Sequence, residues 1–200
     1  MSAALFGGKV CGHVVRRFGA ANKLVIRERV IPGGLSYCQL GRAGRKEIGL
    51  EPAKPKVLSA AALDIAIATH SFSVLSDAGI KRHRLLPDEV REISSELPLN
   101  VPYVLTDEFG ERVVLRVKLS GKTPVAKLRE QARRFFEKAL EKKTAGAIRS
   151  KAFGLALLAA TPERKTQLEK AFSKDSELAD YRVTIGLGPT AEVLSQFFKS

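Results

Sequence analysis

The chain has 200 residues, 44% of them apolar and 28% charged, and its 34 Lys and Arg outnumber 21 Asp and Glu for a net charge of +13. That apolar share is enough for a buried core and argues against wholesale disorder, while no apolar run reaches the roughly 20 residues of a membrane-spanning helix. So large a charge excess makes a field that attracts phosphate polymers, and a polyanionic partner is the first expectation.

The charge is segregated. Residues 1–56 carry +8, 57–111 carry −5, 112–160 carry +10, and 161–200 are neutral. The expected organisation is a basic β-rich segment over 1–56 with a Gly/Pro-rich loop, then an α+β core over 57–200, the two being compatible with one continuous domain. Cys11 and Cys38 have neither CxxC spacing nor a nearby histidine pair, so a zinc site is not indicated, and free thiols in a reducing compartment are expected over a disulfide. The acid-poor start, whose first carboxylate is Glu28, resembles an organelle transit segment in composition. Location in an intracellular reducing compartment or a virion is expected, with mitochondrial import the lesser alternative.

In chain order, Lys9–Phe18 and Lys23–Ile31 read as strands, Ile31–Gly34 as a turn, and Leu35–Leu40 as a returning strand. The Gly- and Pro-punctuated stretch 41–56 reads as an extended arm. Ser59 is placed to cap a helix running to about Thr69, with Leu63, Ala66 and Ile67 inward. Residues 71–86 are ambiguous between strand and short helix. Pro87 opens an acidic helix that stops by Leu97. Residues 102–106 and 111–119 form a β-hairpin; on its second strand Val113, Leu115 and Val117 alternate with Val114, Arg116 and Lys118. Thr123-Pro124 and Thr161-Pro162 start two helices. Between them, 147–160 is so apolar that a central buried helix is expected. Residues 181–185 form a last strand, and Gly188-Pro189 opens an amphipathic terminal helix.

The helix after Pro124 holds the densest charge. At 100° per residue, Val125, Leu128, Ala132, Phe135, Phe136 and Ala139 share one face, Lys127, Arg134 and Lys138 line the opposite side, and Arg129 and Arg133 flank the apolar stripe. Glu130, Glu137 and Glu141 are too few to neutralise these cations. Candidate phosphate contacts are therefore Arg112, Arg116, Lys118, Lys127, Arg129, Arg133, Arg134, Lys138, Lys142, Lys143, Arg149 and Lys151, together with Arg42, Arg45 and Lys46 in the 41–46 loop. Val193, Leu194, Phe197 and Phe198 form an apolar patch suited to a subunit interface.

Trp is absent and only three Tyr are present, so base stacking is weakly supported and binding through the backbone is favoured. Ile185–Pro189 contains a GxG without the rest of a nucleotide-binding fingerprint, and reads as a tight strand-to-helix turn. No catalytic motif occurs, and no catalytic residue, metal site or cofactor is assigned.

In composition alone, the chain resembles ribosome-type proteins and viral coat proteins. The expected function is that of a non-catalytic structural protein binding nucleic acid, RNA rather than DNA, as a ribonucleoprotein subunit or a coat-type assembly protein, with other protein subunits or further copies as partners. An enzyme acting on a phosphorylated or nucleic-acid substrate is the alternative; it requires His70 or His83 to meet carboxylates of residues 88–111 in a pocket. An adaptor whose basic surface docks on an acidic protein is a third possibility.

Overall fold

The computed structural model describes residues 25–29, 36–47, 49, 51, 58–74, 80–108 and 110–197. The strand expected over 9–18, Cys11, the Ile31–Gly34 turn and Phe198 lie outside these residues. The chain is a mixed α+β protein, and its described residues fall into two compact units.

In the first unit, β1 (Val25–Arg29) pairs antiparallel with β2 (Ser36–Leu40), Arg27 standing opposite Cys38. Part of the stretch 41–56, expected to be an extended arm, is helical instead: Arg42–Glu47 form a short helix, α1, with Gly44 buried, while residues 48, 50 and 52–56 of that stretch lie outside the described residues. Glycine is not a stop signal in itself. Gly49, at φ +75°, adopts the left-handed conformation that suits a helix end, and its N–H donates to the Lys46 carbonyl at 3.1 Å.

The second unit, residues 61–194, is built on a five-stranded sheet in the order β3–β4–β5–β6–β7. The strands are β3 (Ile80–Arg84), β4 (Tyr103–Glu108), β5 (Glu111–Leu119), β6 (Phe153–Ala159) and β7 (Val183–Leu187). The first three pair antiparallel, and β5–β6 and β6–β7 pair parallel. Parallel neighbours need crossovers. These are supplied by α4 (Val125–Leu140) with α5 (Ala145–Arg149), and by α6 (Pro162–Phe172). Before the hairpin come α2 (Ala60–Val74) and α3 (Pro87–Ile93); α7 (Ala191–Phe197) closes the described chain.

The β4–β5 hairpin forms where the alternation places it, with Gly110 at φ +88° in the turn and its N–H on the Asp107 carboxylate at 3.2 Å. The expected central helix over 147–160 is overturned. Its apolar core is β6, buried at all seven positions, and only Ala145–Arg149 is helical. A parallel strand flanked on both edges and covered on both faces reads as an unbroken apolar run, and seven residues suit a strand better than a helix. The final strand spans 183–187 rather than 181–185.

Both sheet faces are covered. Phe153, Leu155 and Leu157 of β6 pack with Leu128, Ala132 and Phe136 of α4 and Leu168 and Phe172 of α6. Ala156 and Leu158, with Val113, Leu115 and Val117 of β5, pack against Ala68 and Phe72 of α2. The inner face of α2 is thus centred on Leu63, Ala68, Thr69 and Phe72, while Ala66 and Ile67, expected there, are half-buried. The GxG finds its reason on this face. A Cβ at Gly186 would lie 2.4 Å from the Phe72 ring, and one at Gly188 would lie 2.8 Å from Ala68. The two glycines admit α2 to the sheet.

Candidate nucleic-acid interface

Strand alternation turns Val113, Leu115 and Val117 toward α2 and leaves Arg116 and Lys118 on the opposite face, beside α4. There the Arg116 guanidinium carbon lies 5.4 Å from the centroid of the Phe135 ring, and the Lys118 ammonium donates to the Gln131 side-chain oxygen. Gln131, Arg134 and Lys138 follow one another at spacings of three and four residues along one side of α4. Strand, helix side and the 96–102 loop enclose an open cleft of about 660 Å³. Among the described residues its cations are Arg116, Lys118, Arg134, Lys138 and Lys142, and its one carboxylate is Glu96.

Glu96 is engaged elsewhere, accepting from the Lys143 backbone N–H at 3.3 Å and pairing with its ammonium at 3.5 Å. Arg134 pairs with Glu130 one turn back at 2.5 Å. No described carboxylate lies within ion-pair distance of Arg116, Lys118, Lys138 or Lys142. Burial, and then the adjacent charge of Arg116, hold the Lys118 pKa below its ordinary value. Apart from the Arg134–Glu130 pair, the cleft is a cluster of like charges with no carboxylate partner among the described residues, a setting that favours an anion.

Its lining also has an apolar part, made by Leu97, Val101, Phe135, Phe153 and Leu155. Tyr103 belongs to it, 1% exposed, and its hydroxyl has no hydrogen-bond partner among the described residues. Burial raises the Tyr103 pKa, against the opposing charge of Arg116, so the group stays a protonated donor.

The other predicted contacts are placed differently. Arg129 and Arg133 reach the side chain of Asp175, which is 1% exposed; Arg133 lies 2.9 Å from it and also pairs with Glu177 at 2.9 Å. Both arginines therefore tie α4 to the loop after α6. Lys127 is exposed and outside the cleft. Arg112 and Lys143 line a second cavity, of about 800 Å³. Arg149 and Lys151 are exposed at and after the end of α5, Lys151 at φ +59°. In the first unit Arg42 and Lys46 are exposed, and Arg45 donates to the Glu51 carbonyl at 2.7 Å. Val193 and Leu194 of the apolar patch are half-buried on α7, whose last residue is Phe197.

The second cavity contains a histidine–carboxylate pair, His83 Nε2 standing 3.1 Å from Glu89. The same carboxylate accepts the Leu86 backbone N–H at 2.6 Å at the start of α3, the main cause of its lowered pKa. Among the described residues no hydroxyl or thiol is hydrogen-bonded to His83, and no group of three or more His, Cys, Asp or Glu could hold a metal ion. No helix among them is long and apolar enough to cross a membrane.

Sequence reasoning missed Tyr103, Gln131, Phe135 and Glu96 as cleft residues, and Asp175 as the partner of two candidate contacts. The one available signal was the two-faced alternation of β5, which marks Arg116 and Lys118 but does not say what they face. Comparison with known proteins finds no matching family model, curated protein or solved structure.

Proposed function

We propose that this protein binds nucleic acid, RNA in preference to DNA, as a non-catalytic structural component, and that the cleft between β5 and α4 is its principal phosphate contact. The observation that carries the reading is the convergence of Arg116, Lys118, Arg134, Lys138 and Lys142 on one cavity whose only carboxylate among the described residues, Glu96, is already paired. Phosphate contacts release counterions, and the affinity then falls with salt. The half-buried Val193 and Leu194 fit a second role in packing against other subunits, as in a ribonucleoprotein particle or a coat.

The enzymatic alternative draws support from the His83–Glu89 pair at the second cavity. That carboxylate is committed to the start of α3, which suits a structural pair better than a catalytic one.

The test is a salt titration of RNA binding. Five contacts to a single strand predict a slope of log K against log salt of about −3.5. Replacing Lys138 and Lys142 together with Gln should flatten it by about 1.4. An affinity independent of salt between about 50 and 200 mM would refute phosphate binding.

A further inference from the structure

We infer that the β5–α4 cleft is a pocket for one unstacked nucleotide of a single strand, with phosphate on its cationic side and base against its apolar side. The inference rests on the nucleic-acid reading above and narrows it to a strand form.

Four observations carry it. The cleft is not merely basic: Phe135, Phe153 and Leu155 line the same cavity as Arg116, Lys118 and Lys138. A ligand matching both parts must carry an anion on a flat, largely apolar body, which describes a nucleotide. The volume of about 660 Å³ falls within the roughly 300–1,000 Å³ of small-molecule sites. The position of Arg116 over the Phe135 ring makes a wall of the kind on which unstacked bases lie, aromatic ring and guanidinium both serving as stacking surfaces.

The fourth observation is the Tyr103 hydroxyl, buried in the lining without a hydrogen-bond partner among the described residues. A hydroxyl in that state is costly to the folded protein unless something supplies the missing bond. A nucleotide offers phosphate, sugar and base-edge acceptors to this donor. A duplex holds its bases inside the stack, so it would reach the cationic rim but neither the apolar wall nor Tyr103.

The experiment compares an oligouridylate strand with a blunt RNA duplex of equal phosphate count, by fluorescence anisotropy with the full chain at fixed salt. Wild type is expected to prefer the strand, and free uridine monophosphate to compete with the strand. Tyr103→Phe should weaken strand binding by about tenfold, leave duplex binding unchanged, and leave the melting temperature no lower. Lys118→Gln should weaken both forms. If Tyr103→Phe binds the strand like wild type, or weakens strand and duplex equally, the nucleotide pocket is overturned while phosphate binding stands. If wild type binds neither form at low salt, the nucleic-acid reading itself fails.

Discussion

A carboxylate as buried as that of Asp175 is tolerable only because two guanidiniums reach it, Arg129 through Nε and Arg133 through its terminal nitrogen. Burial pushes its pKa up, but the hydrogen bonds and charges of the two arginines outweigh that and hold the carboxyl below its ordinary value. A depressed folded pKa means that the stabilisation is complete above the unfolded value, about 4, and is lost as pH falls through the folded one. Asp175→Ala is therefore expected to cost about 3–5 kcal/mol near neutral pH. In urea melts of the two proteins the gap should narrow as pH drops below about 4; a gap that does not change with pH would show that packing, rather than charge, makes the contribution.

One helix, α4, divides its cations between two tasks, and the division follows from where each side of it points. Leu128, Ala132, Phe136 and Ala139 seat it on the sheet, Phe136 stacking on Tyr181 at 4.3 Å. Arg129 and Arg133, beside that seam, are used within the fold. Arg134 and Lys138, on the cleft side, have at most one exposed i,i+4 partner, worth a few tenths of a kcal/mol. Charge reversal should separate the two sets. Arg129→Glu with Arg133→Glu places two acids beside Asp175 and should lower the melting temperature sharply, as thermal unfolding by circular dichroism would show. Lys138→Glu with Lys142→Glu should melt like wild type and bind RNA at least roughly tenfold more weakly. Equal loss of stability in both double variants would contradict the division.

For the molecule as a whole, the second unit covers both faces of its sheet with its own helices, which is the condition for folding alone. A fragment of residues 58–197 is expected to unfold in one cooperative transition and to retain RNA binding. It lacks Arg42, Arg45 and Lys46. If those residues contact phosphates in the full chain, the fragment's salt slope is shallower by up to about 2; a fragment that folds but does not bind would move the principal contact to the N-terminal unit. The division of charge along the chain, +8, −5, +10 and neutral, foreshadowed a basic surface, but not a cleft.

What the sequence determined by itself was local: the β4–β5 hairpin, the starts of α3 and α6 at Pro87 and Pro162, the apolar stripe of α4, and the surplus of cations around it. Each depends on residues within a turn or two of one another, where spacing and dihedral preference decide the outcome. Tertiary structure decided the rest. Whether 153–159 is strand or helix depends on β5 and β7 lying at its edges, because an apolar run satisfies either conformation until its backbone finds partners. Whether an arginine on α4 is a free cation or one side of a buried ion pair depends on Asp175, more than 40 residues away. And Tyr103 becomes part of a site only because β4, β5 and α4 meet around it: a side chain's chemistry is written in its residue type, but its access to a ligand is set by what the chain packs beside it.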